Sequence, residues 1–177
     1  MEYDLATGVA VLERTPGTLG RWLSGMPEQW THQSEGPDTF SPFDVVGHLV
    51  HGESTDWLPR VKVILTHGTA QPFEPFDRFA MYEASRGRSL DDLLARFAEL
   101  RVANLAELRA LDLTPEQLAL TGMHPRLGRV TMSELLSAWV VHDLDHIYQI
   151  ARVMAHQYRD AAGPWSFMRV LGGREPQ

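Results

Sequence analysis

Apolar residues recur at intervals of three and four along most of this chain, and this spacing restricts it to packed amphipathic helices. The longest such segment begins at Thr131, has Glu134 three residues later in a capping-box arrangement, and runs to about Arg159. Gly163 and Pro164 follow it as stop signals. Strand-like alternation is scarce, so the pattern predicts an all-α fold.

Three further long helical segments precede this one. The first runs from about Asp4 to Ser24, with an interruption expected at Pro16. The second runs from an N-cap at Ser41 to about Thr66, with a kink expected at Pro59, and the third runs from Ser89 to about Leu111. Four long helices predict a four-helix bundle with short extra helical segments, formed as a single domain over residues 1–177.

The connections between these helices differ in length. Residues 25–40 and 121–130 are rich in turn-forming residues and predict a loop and a turn. Residues 114–117 open a short helical piece, and residues 165–171 form an apolar tail. Residues 67–88 predict a long connection with a helical turn or two, and connections of this length are often functional.

Composition excludes several classes of function. The formal net charge is −7 and the 16 basic residues are dispersed, so we expect no nucleic-acid partner. No apolar run approaches the length of about 18 residues that a membrane span needs. The acidic start does not resemble a secretory signal, so a cytoplasmic location is expected. The chain has no cysteine, which excludes a disulfide, a cysteine-ligated metal and a cysteine nucleophile.

The core-facing side of the last helix changes character in its middle. Large apolar residues give way to two imidazoles and an amide before an apolar residue returns. A buried polar group without a partner costs about 1–3 kcal/mol, so these polar side chains need partners. The positions along this face are Met132, Leu135, Trp139, His142, His146, Gln149 and Val153.

A metal ion would supply such a partner. His142 and His146 are spaced i, i+4, so both imidazoles can reach one cation. His48, which lies among apolar residues of the second helix, is the candidate third ligand. The alternative is that these are core histidines hydrogen-bonded to carbonyl, Asp or Glu groups. Gly47 and Gly52 beside His48 allow either a close helix approach or room for a pocket.

Two segments resemble motifs of the DinB/YfiT-like superfamily. Residues 43–53, FDVVGHLVHGE, are similar to its second-helix motif. Residues 142–150, HDLDHIYQI, are similar to its last-helix motif, His-x-x-x-His-x-x-Gln. Residues 12–16 and 52–60 are also similar to members, so the resemblance covers almost the whole chain.

The resemblance implies a four-helix bundle that holds a divalent metal through His48, His142 and His146. Zinc, nickel and iron all accept imidazole ligands. Some members are transferases or isomerases that use a low-molecular-weight thiol such as bacillithiol or mycothiol. The resemblance therefore implies a small-molecule substrate and places thiol-dependent transfer ahead of hydrolysis. It also implies a homodimer, and no nucleic-acid binding.

Three neutral ligands leave a cation its full charge and an open coordination position, as in catalytic sites. The cation can activate the thiol of a small cofactor, or it can form metal-bound hydroxide for hydrolysis. A metal-dependent enzyme is expected. A non-catalytic metal-binding protein and a metal-free histidine cluster remain as alternatives.

Other side chains are expected around the three histidines. Glu53 is the candidate base, with a group that orients a histidine and a solvated side chain as the alternatives. Asp143 and Asp145 are expected to point away from the core, since they neighbour a core position. His124, in a predicted loop, is expected to be solvated. The residues expected to border the pocket are His51, Gly52, Trp139 and Gln149.

Overall fold

The computed structural model describes residues 3–173, which form helices and one short hairpin. Two 3-10 turns, Gly163–Phe167 and Arg169–Leu171, follow the last long helix. The helices are α1 (Leu5–Leu12), α2 (Arg14–Leu23), α3 (Glu28–Thr31), α4 (Pro42–Thr55), α5 (Trp57–His67), α6 (Ala80–Ser85), α7 (Leu90–Ala110), α8 (Pro115–Leu118) and α9 (Met132–His156).

Four helical units pack side by side, and the predicted four-helix bundle is confirmed. The units are the α1–α2 pair, the α4–α5 pair, α7 and α9. Helix α7 packs against α2 and α4, while α9 packs against α1, α4 and α5. Helices α4, α7 and α9 begin at the predicted N-caps Ser41, Ser89 and Thr131, and each N-cap forms a capping box with the residue three positions later. None of the helices described is long and apolar enough to cross a membrane.

Two of these units are interrupted before the prolines that the sequence indicated. The first breaks at Glu13 rather than at Pro16, and the second breaks at Asp56 rather than at Pro59. Each proline instead lies in the first turn of the following helix. Backbone N–H groups there have no helical acceptor, so a proline loses nothing by lacking one.

The predicted turn at residues 121–130 contains a β-hairpin. Strands β1 (Thr121–His124) and β2 (Gly128–Thr131) pair antiparallel, with Thr121 opposite Thr131. The hairpin packs against α5 and against the long connection. A hydrogen bond joins it to the connection, in which the Phe73 N–H donates to the Met123 carbonyl at 2.9 Å. Gly122 permits this approach, since a Cβ there would lie 2.6 Å from the Phe73 ring. Short strands containing glycines carry little sequence signal.

The apolar core forms two clusters with a polar layer between them. Along α9, Trp139 belongs to one cluster and Ile150 to the other. Along α7, Leu105 belongs to the cluster of Trp139 and Phe97 to the cluster of Ile150, and the buried Arg101 lies between them. This layer crosses the middle of the bundle and contains the histidines described next.

Candidate metal centre

Three histidines from two helices meet in the polar layer. His48 lies in α4, and His142 and His146 lie one turn apart in α9. The His142 Nε2 atom is 3.1 Å from His48 Nε2 and 3.0 Å from His146 Nε2. One potential ligand atom from each of the three residues lies within 4.8 Å of the other two. The structure therefore brings together the three residues that the sequence proposed as ligands.

The spacing of these nitrogens fits a single cation. Imidazole nitrogens about 2.0–2.1 Å from a zinc-like ion lie about 2.9–3.4 Å apart when the ligand–metal–ligand angle is about 90–110°. The two Nε2–Nε2 distances of 3.1 and 3.0 Å agree with this range. Each neutral imidazole has only one N–H donor. Hydrogen bonds among the three rings therefore cannot give every facing nitrogen a good partner, whereas a cation can.

A hydrogen bond donated to Gln149 fixes the ring of His146 for ligation. The His146 Nδ1 atom is 2.8 Å from Gln149 Oε1, and an amide oxygen only accepts, so Nδ1 carries the proton. The lone pair of His146 therefore lies on Nε2, which faces the other two imidazoles. Gln149 thus orients a histidine from within the same helix, whereas the sequence placed it at the border of the pocket.

Burial keeps the three imidazoles neutral. It lowers the pKa of His48 to about 3 and the pKa of His142 to about 2, and the neighbouring imidazoles add to both shifts. Burial also lowers the pKa of His146, although the hydrogen bond to Gln149 opposes this effect. Neutral imidazole is the form that binds a metal ion, so all three are available as ligands near pH 7.

Glu53 contacts other groups than the histidines. Its Oε1 atom accepts from the Arg101 guanidinium at 2.8 Å and from the Trp139 indole at 3.0 Å. Its Oε2 atom accepts from the Asn104 amide at 2.9 Å. Glu53 is 2% exposed and both oxygens are engaged. The structure thus provides no free carboxylate base at this position, because the groups packed around Glu53 already hold both oxygens.

Asp143 completes a buried ion-pair network with Glu53. The Arg101 guanidinium donates to Asp143 at 2.6 and 2.9 Å, and the Asp143 side chain is fully buried. The expectation that Asp143 points away from the core is wrong, while Asp145 is exposed as expected. Burial acts to lower the pKa of Arg101, but the two carboxylates outweigh it and raise this pKa. The guanidinium stays charged.

A cavity of about 440 Å³ opens beside the histidines. His48 and His142 form part of its wall, next to Phe76 from the long connection. Three arginines and His124 also border it, and His124 is a half-buried residue at the end of β1, where the sequence predicted a loop. The long connection, which the sequence indicated as a functional segment, contributes Phe76 and Arg78 to this wall. The sequence did not indicate that arginines would border the pocket. The remaining wall residues are Asp56, Arg60, Pro75, Pro125 and Arg126.

The four residues expected to border the pocket lie outside this wall. Trp139 is fully buried behind the site, where its ring stacks on Trp57 at a centroid distance of 5.7 Å. His51 is half-buried against the Phe76 ring at 5.0 Å. Gly52 faces the Trp57 indole, because a Cβ there would meet its nitrogen at 3.5 Å. Gln149 contacts His146, as described above.

Comparison with known proteins agrees with the fold. The family model of the DinB superfamily matches residues 12–150. A solved structure of YfiT from Bacillus subtilis is similar, with 25% sequence identity and a TM-score of 0.72; the match covers 91% of this chain and 94% of that one. YfiT is described as a probable metal-dependent hydrolase with an unusual four-helix bundle topology. No curated protein matches the sequence.

The family resemblance first suggested by residues 43–53 and 142–150 is therefore confirmed. The match extends from α1 to α9 and includes all three clustered histidines. The bundle topology, the family model and the solved structure agree with one another, and this chain belongs to the DinB superfamily.

Proposed function

We propose that this chain is a divalent-metal-dependent enzyme acting on a small molecule, with His48, His142 and His146 as the metal ligands. The carrying observation is the convergence of three neutral imidazole nitrogens, 3.0 and 3.1 Å apart, at the wall of an open cavity. The bound cation would supply positive charge that lowers the pKa of a thiol or a water molecule reaching it. A closed structural site would have no adjoining cavity.

The reaction we propose is transfer of a low-molecular-weight thiol of the bacillithiol or mycothiol class to an electrophile. Hydrolysis is assisted by a protein base that takes a proton from water. Both oxygens of Glu53 are held by Arg101, Asn104 and Trp139, and the Oδ1 atom of Asp56 in the cavity wall is paired with Arg60 at 2.6 Å. Asp56 Oδ2 is therefore the one wall carboxylate oxygen open to a substrate among the described residues. A thiol has an ordinary pKa of about 8.5 and ionises beside a cation without such a base.

Metal-dependent hydrolysis is the second candidate. The similarity to YfiT favours it, because that protein is described as a probable metal-dependent hydrolase. A cation can activate water for hydrolysis, and Asp56 in the cavity wall is the candidate carboxylate base for that reaction. A non-catalytic metal-binding role is the outcome if neither reaction is found.

Metal content tests the ligand assignment directly. Elemental mass spectrometry of tag-free protein should find about one divalent metal ion per chain, as expected for a mononuclear site. The His142→Ala/His146→Ala variant should contain none while retaining helical circular dichroism. His67→Ala is the matched control, since His67 is exposed at the end of α5 and should retain the metal. A parent protein that stays metal-free after incubation with zinc, nickel or iron(II) contradicts the assignment.

Two assays on the metal-loaded protein separate the candidate reactions. One follows conjugation of bacillithiol or mycothiol to 1-chloro-2,4-dinitrobenzene, and the other follows hydrolysis of p-nitrophenyl esters. We expect conjugation that depends on both the metal and the thiol. Ester hydrolysis without thiol would replace the transferase proposal with the hydrolase.

A further inference from the structure

We propose that the arginines of the cavity wall bind an anionic group of the substrate, so that the enzyme selects small molecules carrying a carboxylate or phosphate. This inference deepens the proposed function and rests on it, because it concerns the ligand of the same cavity. The residues that form this anion subsite are Arg60, Arg78 and Arg126.

Three separate elements bring these arginines to one cavity. Arg60 lies in the first turns of α5, Arg78 lies in the long connection before α6, and Arg126 lies in the turn of the hairpin. The same cavity is bounded by His48 and His142. An anionic group held by the arginines would therefore keep the rest of a small molecule beside the proposed metal ligands.

Arg60 is built into the wall rather than lying free on the surface. It is 8% exposed, and its guanidinium lies 5.3 Å from the centre of the Phe73 ring. Its Nε atom pairs with Asp56 at 2.6 Å, and its terminal nitrogens donate to no group within residues 3–173. A buried guanidinium has five N–H donors, so this arrangement leaves donors for a ligand.

Arg78 and Arg126 add positive charge that the protein does not neutralise. Neither forms an ion pair with the residues that the structure describes, whereas Arg60 has its charge balanced by Asp56. The Arg78 guanidinium lies 5.1 Å from the centres of the Phe40 and Phe79 rings, which hold it in position by cation–π contact. The described wall therefore contains three cations and one carboxylate.

His124 contributes a further donor to the same wall. Its Nδ1 atom accepts from the backbone N–H groups of Arg126 and Leu127, each at 3.1 Å. The ring proton of neutral His124 is consequently on Nε2, so the ring offers a hydrogen-bond donor. The wall thus combines charged and neutral donors, which is the complement of a carboxylate or a phosphate.

The size of the cavity and the charge of the chain limit what this anion can be. A volume of about 440 Å³ accommodates a small molecule, within the range of about 300–1,000 Å³ typical of such sites. The formal net charge of −7 disfavours a nucleic-acid backbone, which needs an extended basic face. A free small molecule bearing the anionic group is the ligand that satisfies both constraints.

Isothermal titration calorimetry on zinc-loaded protein tests this inference with matched probes. The probes are mercaptosuccinate, which has two carboxylates and a thiol, succinate, which lacks the thiol, and 2-mercaptoethanol, which lacks the charge. Inorganic phosphate forms a fourth arm that distinguishes phosphate from carboxylate as the preferred anion. The variants are Arg78→Gln, Arg126→Gln and their double variant, which remove exposed charges without exposing a buried carboxylate.

The matched control is Arg96→Gln, because Arg96 is an exposed arginine of α7 whose ion pair with Glu99 is remote from the cavity. We expect at least one of the two anions, succinate or phosphate, to bind. That anion should bind the control with the same affinity as the parent. The double variant should weaken this binding by about tenfold, the loss expected for charge-assisted hydrogen bonds. The affinity for 2-mercaptoethanol should not change.

Two results would overturn the inference. Either neither anion binds the zinc-loaded parent, or the double variant binds the anions as tightly as the parent does. A separate result concerns the zinc: if mercaptosuccinate binds no more tightly than succinate, a thiol on the anion-bound molecule does not reach the metal, while the anion subsite stands. Zinc content is measured on the same samples. A protein without zinc shows that the metal assignment has failed, and this result is separate from the failure of the anion subsite or of the thiol contact.

Discussion

Arg101 places one guanidinium between two carboxylates in the middle of the bundle, where its side chain is 1% exposed. The same guanidinium donates to the Leu12 carbonyl at 2.7 Å, so it links α7 to α1, α4 and α9. A sequence signal for this role exists, because Arg101 follows Phe97 at four-residue spacing on the apolar side of α7. A charged residue on such a face indicates a buried partner.

Removing that guanidinium should destabilise the fold strongly. Arg101→Met leaves Glu53 and Asp143 buried without a counterion, and we expect a loss of about 3–5 kcal/mol in the free energy of unfolding. Urea denaturation followed by circular dichroism measures it. Arg96→Met, on the exposed side of the same helix, should change stability by less than about 1 kcal/mol.

If Arg101→Met does not fold, the Arg101→Met/Glu53→Gln/Asp143→Asn variant provides the second measurement. It removes the unpaired charges and should recover a cooperative transition. An Arg101→Met protein as stable as Arg96→Met would show that the network contributes little.

The sequence could indicate His48, His142 and His146 because polar residues on an apolar helix face need a partner. It could not show that Glu53 is taken up by Arg101. That contact joins residues 48 positions apart, and no local spacing encodes it. Asp143 was misread for the same reason, since its partner lies on another helix.

At the scale of single elements, the close approach of α6 to α4 depends on Gly47. A Cβ at this position would lie 2.6 Å from the Ser85 hydroxyl, which ends α6. Glycine in a helix costs about 1 kcal/mol relative to alanine, so the close packing offsets that cost. The sequence left two explanations for Gly47, a close helix approach or a pocket, and the structure supports the approach.

A double-mutant cycle between these two positions tests the contact. Gly47→Ala alone should lower the free energy of unfolding, because the new methyl group displaces the Ser85 hydroxyl. In a Ser85→Ala background the same change should raise stability by up to about 1 kcal/mol through helix propensity. Gly20→Ala, which meets nothing within 4 Å, should be stabilising in either background. Additive effects of the two substitutions would contradict a direct contact.

Helix starts were predictable, because capping boxes are local and place a serine or threonine three residues before an acid. The hairpin and the breaks at Glu13 and Asp56 were not, since packing between distant segments decides them. The Phe73–Met123 hydrogen bond, for example, joins the hairpin to a segment 50 residues earlier.

At the scale of the whole molecule, the polar layer makes stability sensitive to acid. In metal-free protein, burial holds the pKa values of His48 and His142 at about 3 and about 2, against about 6.5 in an unfolded chain. Between these limits the unfolded chain binds more protons than the folded one. The free energy of unfolding therefore falls as the pH falls below about 6.5, and is fully retained above it.

Chemical denaturation of chelator-treated protein between pH 8 and 4 measures this dependence. The His142→Ala/His146→Ala variant should show a shallower slope, because fewer buried imidazoles remain to exclude protons. Added zinc should raise stability at pH 7, since the ligands come from α4 and α9 and meet only in the folded chain. Equal slopes for parent and variant would contradict the assignment of acid sensitivity to this layer. The single domain, the homodimer and the cytoplasmic location stay predictions.

The proposed metal ligands belong to helices of the bundle, whereas Arg78 and Arg126 belong to the long connection and the hairpin turn. In the proposed site the metal ligands are thus encoded in the bundle, whereas the anion subsite is shared between Arg60 of α5 and two arginines outside the bundle helices. Exchanging residues 68–79 or 125–127 for other loop sequences would alter which molecules enter, without rebuilding the helices that carry the chemistry. A scaffold divided in this way is well suited to diversification, because new substrates can be gained through loop replacement alone.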